Sequence, residues 1–362
     1  MKKALRILAL SAVLAAPTFL FVQELHLDVP YVPTKPEVVA KMLEMGRVGK
    51  DDVLYDLGCG DGRIVIAAAK LYGTPGVGVD INPERIKESR ANAAKEGVTP
   101  LVKFLEQDLF QTDIHEATVV TLYLLSSVNM RLRPTLFAQL RPGTRVVSHD
   151  FSMGNWKPDE SAVVTTDGMT HDVYYWVIPA NVSGSWGWTW PEGGRLDACR
   201  IEIEQHFQAL SGMLKVAGAD LPLVNATISG DRIGFTVDRP TGNTTERVVF
   251  TGVAVRDRME GTMTVRGKGK PAGRSWKAER NPATTKPIDT DPPDRYYWTR
   301  PARRSFLERP SARLRGSGIL YPRVQAKTSL TAAARPIRWP GETKSGLTPL
   351  RVRTAAPTTP PW

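Results

Sequence analysis

Asp56-Leu57-Gly58-Cys59-Gly60-Asp61-Gly62 decides the fold of this chain. Residues 53–56, Val-Leu-Tyr-Asp, read as a short buried strand that runs straight into the three glycines, and a helix follows from residue 63 to about 71. A strand, a glycine-rich turn and a helix open a doubly wound α/β sheet. The dinucleotide fingerprint G-x-G-x-x-G would place its third glycine at position 63, where the chain has Arg63. That glycine is what lets helix and strand pack closely, so the NAD reading is weakened.

The alternation continues on both sides of the turn. Upstream, Thr34-Lys35-Pro36-Glu37 has the form of a capping box, and Val38, Val39, Met42 and Leu43 supply an apolar helical stripe that Gly46 ends. Downstream come a strand at 76–80, a helix opened by Asn82-Pro83-Glu84 and ended by Gly97, strands at 102–105, 118–122 and 145–148, and a helix at about 130–140 before the last strand. Apolar runs separated by helices indicate a parallel sheet covered on both faces. Residues 163–166 and 173–178 fit an antiparallel closing pair, which ends a first domain spanning 28–179.

Past Pro179 the helical periods vanish. Short alternating segments at 201–207, 214–216, 226–228, 232–237, 247–250 and 261–265, split by glycines, predict an antiparallel β sandwich or small barrel over 180–280. Trp186, Trp188, Trp190 and Trp276 fit its aromatic core better than the lining of a ligand cavity. Residues 281–362 carry 13 of the 28 prolines and 15 Lys or Arg against 5 Asp or Glu, which places +10 of the formal net charge of +11 there. This composition predicts a disordered basic tail and leaves the folded part nearly neutral. At the other end, Lys2, Lys3 and Arg6 precede an apolar run over 7–22, so residues 1–22 read as a signal peptide or signal anchor. An exported or membrane-anchored protein is expected, with a cytoplasmic one not excluded. Two cysteines, Cys59 and Cys199, are too few for a structural zinc cluster, and no metal is expected.

Three features at successive strand ends carry a resemblance: Asp56 to Gly62 after the first strand, Asp80 closing the second, and Gln107-Asp108-Leu109 beyond the third. Together they resemble the class I S-adenosylmethionine-dependent methyltransferases. Pro30-Tyr31-Val32-Pro33-Thr34, Thr121-Leu122-Tyr123-Leu124-Leu125 and Asn129 with Leu132-Arg133-Pro134 narrow it to one group. That group holds the lysine methyltransferases of the ATP synthase c-subunit and of an adenine nucleotide translocase, with their bacterial relatives. The similarity covers roughly 28–179 and not the β domain or the tail. It implies a Rossmann-like methyltransferase sheet and S-adenosyl-L-methionine as cofactor, held by Asp56, Gly58, Cys59, Gly60 and Gly62. Asp80 would accept from the ribose hydroxyls and Asp108 would stand at the adenine.

The acceptor side is argued from physics and from absence. Nucleic-acid amino methyltransferases usually carry an Asn or Asp with Pro-Pro-Tyr after the fourth strand, whereas this chain has Thr121-Leu122-Tyr123-Leu124. With the folded part nearly neutral, no specific nucleic-acid partner is expected. A lysine amine must lose its proton before it can attack, and desolvation by apolar walls favours the neutral form. Tyr31, Thr34 and Tyr123 are the expected walls of an acceptor channel, with His149 and Asp150 as reserve acid-base candidates. A protein substrate and membrane association are expected. A lipid or small-molecule methyltransferase and a non-catalytic cofactor-binding scaffold stand as alternatives.

Overall fold

The computed structural model describes residues 29–192, 195–266 and 272–288. The expected signal segment, and the tail beyond residue 288, lie outside the described residues. Among the described residues no helix is long and apolar enough to cross a membrane.

Seven strands form the first sheet: β1 (Leu54–Leu57), β2 (Gly76–Asp80), β3 (Val102–Glu106), β4 (Val119–Leu122), β5 (Arg145–His149), β6 (Glu160–Thr166) and β7 (Met169–Val177), in the spatial order β3-β2-β1-β4-β5-β7-β6. The first five pair in parallel, and β7 runs antiparallel between β5 and β6. β1 and β4 are buried along their whole length, as central parallel strands with helices on both faces must be. On one face α1 (Pro36–Met45), α2 (Arg63–Tyr72) and α3 (Pro83–Lys95) pack around Leu54 and Val119. On the other, α4 (Ser126–Gln139) packs Val128, Leu132 and Leu136 against Tyr55, Leu57, Val120 and Leu122. The alternation of strand residues between the two clusters follows the period of two in a strand.

Two local expectations are corrected. Thr34 does not cap α1: the N-cap is Lys35, without a side-chain cap hydrogen bond. Pro36 opens the helix and has no N–H to satisfy, so less is lost by turning the Thr34 hydroxyl elsewhere. Helix α4 begins at Ser126, a turn earlier than the apolar pattern suggests. Its buried face there carries Asn129, whose amide donates to Ser148 Oγ at 3.2 Å and to the Phe151 carbonyl at 3.0 Å.

The second sheet settles the choice between sandwich and barrel. β8 (Gly184–Glu192), β9 (Arg195–His206), β10 (Ala209–Val216), β11 (Ala219–Pro222), β12 (Val224–Ser229), β13 (Arg232–Thr241), β14 (Thr244–Val255), β15 (Arg258–Arg266) and β16 (Ala272–Arg280) are antiparallel neighbours. β9 pairs with β10 and β16 pairs back onto β8, so the strands close into a barrel with β11 laid beside β10. The alternating Trp186, Trp188 and Trp190 of β8 all point inward, with Trp276 of β16 beside them. Phe250 meets Trp276 nearly edge-on at 5.4 Å and stacks on Phe235 at 4.6 Å, so aromatic rings occupy the interior.

The barrel is seated on the first domain by the tip of the β9–β10 hairpin. Phe207, at φ 55°, is buried against Phe137 and Trp156 with ring centroids 5.9 and 5.8 Å away, and the Arg133 guanidinium lies 5.2 Å from its ring. Beside it Gln208 accepts from Trp156 Nε1 at 2.9 Å and donates to the Lys157 carbonyl at 2.7 Å. The chain after β16 also stays packed for a few residues: Asn281 caps a short 3-10 turn and Ile288 is buried in the same cluster as Phe207. Residues 281–288, expected as part of the tail, are packed against the barrel, and Ser183 and Asn181 bind the Lys286 backbone. Phe207→Ala should lower the unfolding free energy of the full chain by roughly 3–5 kcal/mol in urea denaturation.

Candidate active site

The carboxyl ends of β1, β2 and β4 open onto a cleft, as expected for an open α/β sheet. Its floor is the turn from β1 into α2, in which Gly58, Gly60 and Gly62 all have positive φ, at 84°, 51° and 78°. A Cβ at Gly60 would lie 2.5 Å from the Tyr31 ring, and one at Gly62 would lie 2.6 Å from Phe104. Both backbone conformation and space therefore require glycine at these two positions.

Asp80, at the end of β2, is half-buried at the rim. Its Oδ2 accepts from the Gly60 amide and its Oδ1 from the Asn82 amide, each at 2.9 Å. These bonds fix the carboxylate, and a carboxylate has lone pairs to spare for a ligand. Asp108 also lines the cleft, with its Oδ1 accepting from the Phe110 amide at 2.9 Å. Asp56 lies beneath the turn, buried, and accepts from Thr121 Oγ1 at 2.7 Å. Burial pushes its carboxyl up to about 7. Cys59 is likewise buried, and burial holds its thiol well above the ordinary range, so it is a small neutral wall rather than a nucleophile.

A strap from Val29 to Thr34 crosses the cleft. Tyr31 rests on Gly60 and under the Arg85 guanidinium, 4.5 Å from the ring centroid. The strap is tied down by Arg63, which donates to the Thr34 carbonyl at 2.7 Å while its fork is held by Asp61, with Nη2 to Oδ2 at 2.7 Å. Thr34 itself is buried, and its hydroxyl lies 3.2 Å from His149 Nδ1. Tyr123, just past β4, lines the cleft and lies over the His149 ring with centroids 3.8 Å apart. Burial first, and Asp150 second, push the Tyr123 phenol up.

The sequence-derived residues thus divide into two groups. Asp56, Gly58, Cys59, Gly60, Asp80, Asp108, Tyr31, Thr34 and Tyr123 all border the cleft, and Gly62 closes the turn behind it. His149 lies behind Tyr123 and Asp150 beside it, away from the cleft lining. Burial lowers the His149 pKa to about 4, with Asp150 opposing that shift and His171 adding to it, so the ring is neutral at pH 7. Four residues were missed from the sequence: Arg63, Arg85, Thr121 and His171. Arg63 sits where a glycine was sought, and its charge beside Asp61 was the available signal. His171 comes to His149 only through the pairing of β5 with β7, which no local pattern announces.

Asp56 has a pH signature. Its folded-state pKa of about 7 lies above the ordinary value, so from about pH 4 to pH 7 the folded chain keeps a proton that the unfolded chain has released. That carboxyl therefore lowers stability as pH rises through the window, by up to about 1.4 kcal/mol per pH unit. Asp56→Asn keeps an acceptor for Thr121 and should remove the slope. Thermal melts at about pH 5 and about pH 8 should show the variant gaining on the wild type at the higher pH.

The first domain is similar in sequence to known methyltransferases. Residues 56–160 match the model of the ANTKMT methyltransferase domain. A protein-lysine N-methyltransferase of Saccharolobus islandicus is 52% identical over 151 residues, which are 41% of this chain and 94% of that protein. The adenine nucleotide translocase lysine N-methyltransferase of Mus musculus is 36% identical over 136 residues, 37% of this chain, which spans 58% of the mouse protein's length. A crystal structure described as an RNA methyltransferase from Salinibacter ruber in complex with S-adenosyl-L-homocysteine is 57% identical, covering 40% of this chain and 93% of that one, with a TM-score of 0.38. Half identical to a relative across nearly all of that relative's length, and carrying the cleft just described, the chain belongs to this family of S-adenosylmethionine-dependent methyltransferases.

Proposed function

We propose that this chain methylates a lysine ε-amine of a protein substrate. The observation that carries the reading is its identity of 52% to a protein-lysine N-methyltransferase, 94% of which it covers. The cleft supports it, because it has the parts that the methyl donor requires. The turn at Gly58 and Gly60 brings backbone without side chains to the cleft, with Tyr31 packed on Gly60, the Asp80 carboxylate is fixed with lone pairs to spare, and Asp108 also borders the cleft. S-adenosylmethionine supplies an electrophilic methyl group on a sulfonium.

The protein's own work is positioning and desolvation. Tyr31 and Tyr123 wall the cleft and exclude water, and the burial that raises the Tyr123 phenol also favours the neutral form of an incoming amine. Arg63, Asp61 and the Thr34 carbonyl hold the strap that carries Tyr31 over the glycine turn. His149 is too deep to reach a substrate amine and serves instead as the floor on which Tyr123 lies. Among the described residues no side chain bordering the cleft is placed as a dedicated base, so the amine loses its proton to water before it enters. A membrane-associated substrate, reached through residues 1–22, completes the proposal and is supported by the basic flank and apolar run of that segment.

Asp80→Ala should weaken cofactor affinity by roughly 1.5–3 kcal/mol in calorimetry, the worth of a charge-assisted hydrogen bond. Tyr123→Ala should lower kcat with little change in cofactor affinity, while Tyr123→Phe keeps the ring and most of the turnover. With labelled methyl donor, mass spectrometry should place the label on lysine; label recovered only on RNA, lipid or a small metabolite would overturn the substrate assignment. Deleting residues 1–22 should shift the protein from the membrane to the soluble fraction and leave cofactor binding intact, since the described sheet begins later.

A further inference from the structure

Behind the cleft, three potential ligand atoms converge. His149 Nε2 lies 3.0 Å from His171 Nδ1 and 3.3 Å from Asp150 Oδ2, and His171 Nδ1 lies 3.1 Å from the same oxygen. We propose that this triangle is a binding site for one divalent transition cation, with zinc(II) the cation that its two imidazoles and one carboxylate suit best.

The geometry favours a cation over a hydrogen-bond network. A proton serves one side of such a triangle at a time, because each hydrogen bond must be nearly linear. A cation above the centre serves all three corners at once. Bonds of about 2.0–2.1 Å to zinc place neighbouring ligand atoms of a tetrahedron about 3.3 Å apart, close to the spacings here. Three protein ligands leave the fourth position for water or another small ligand.

The surroundings prepare each corner. The Thr34 hydroxyl oxygen, 3.2 Å from His149 Nδ1, can accept a hydrogen bond from the Nδ1–H and leave the Nε2 lone pair facing the triangle. Asp150 is turned back onto its neighbours by a left-handed backbone at φ 57°, a conformation that Asp tolerates better than most residues. Its Oδ1 accepts from the Asp172 amide at 2.9 Å, so Oδ2 is the oxygen presented to the histidines. His171 Nε2 is buried without a hydrogen-bond partner among the described residues, so the polar contacts of that ring run through Nδ1. The Asp150 side chain is 28% exposed and gives the cation a way in, while His149 is 1% exposed.

A cation here would clamp the end of β5 to β7. Through His149 it would also fix the ring beneath Tyr123 and the hydroxyl of Thr34, two residues that border the cleft. Occupancy would thus stiffen the acceptor side of the cleft without the metal touching a substrate. This inference holds whether the methyl acceptor is lysine or another group.

The test uses the full chain, stripped with a chelator and titrated with cobalt(II) and then zinc(II). One equivalent of cobalt should bind with the strong visible absorption of a tetrahedral site, and zinc should displace it. His171→Ala and Asp150→Asn should each weaken binding by at least about 100-fold, and Thr34→Val by about 10-fold. Asn also tolerates the left-handed backbone, so Asp150→Asn decides the matter if His171→Ala does not fold. His115→Ala should leave binding unchanged, although His115 and Asp113 form an exposed pair at 2.7 Å. Absence of saturable binding by the wild type, or binding that survives in a folded His171→Ala or Asp150→Asn variant, would overturn the site.

Discussion

The turn between β1 and α2 has to pass between two aromatic rings, Tyr31 above Gly60 and Phe104 beside Gly62, with no room for a Cβ at either place. That steric constraint organises the rest of the site. It brings the backbone to the carboxyl end of the sheet, where the Gly60 amide fixes Asp80. It also starts α2 at Arg63, whose guanidinium grips both Asp61 and the Thr34 carbonyl. A glycine at 63, as in a dinucleotide fingerprint, would leave the strap without that anchor. The residue that weakened one reading of the sequence is a structural requirement of the other.

Burial of polar groups follows from the same arrangement. Asp56 sits beneath the turn with Thr121 as its hydrogen-bond partner, and burial keeps it largely protonated below about pH 7. His149 is buried on the far side of Tyr123 and stays neutral. Each group resolves the cost of a buried charge by giving the charge up; for His149 the burial outweighs the Asp150 carboxylate 3.3 Å away. Behind Tyr123 two imidazoles and one carboxylate converge, a composition that suits a cation better than a substrate.

What the sequence revealed and what it hid can be told apart by range. The strands at 76–80 and 145–149 and the helix opened by Asn82 were legible because apolar runs, caps and glycines act within a few residues; the Asn82 side chain does accept from the Glu84 amide. The apparent capping box at Thr34 misled because its hydroxyl has a stronger claim on it from His149, 115 residues away in the chain. The strands at 184–192 and 272–280 were missed although tryptophans at 186, 188 and 190 keep a period of two; the expected aromatic core was recognised there, and its strand was not. His171 and the seat of Phe207 depend on pairings between strands and between domains, which a single sequence does not display.

Among the described residues the barrel contributes none to the lining of the cleft, yet packing joins it to the cleft through residues 151–156 and through α4. Trp156 packs on Phe207 of the barrel, and Arg133 of α4 both faces Phe207 and donates to the Met153 carbonyl at 2.9 Å. Two residues earlier, Phe151 lines the cleft beside Tyr123, with its carbonyl held by Ser148 Oγ at 2.7 Å and by Asn129. Residues 151–156 therefore touch the barrel at one end and the acceptor wall at the other, and α4 braces both contacts. Tight packing leaves such a segment few alternative arrangements, so a shift of the hairpin tip has to be taken up either by Trp156 or by the wall itself. If a partner of the barrel changes turnover, the packing offers two routes for its effect, this segment and α4, which bears Phe137 and Arg133 against Phe207 and Val128 at the cleft.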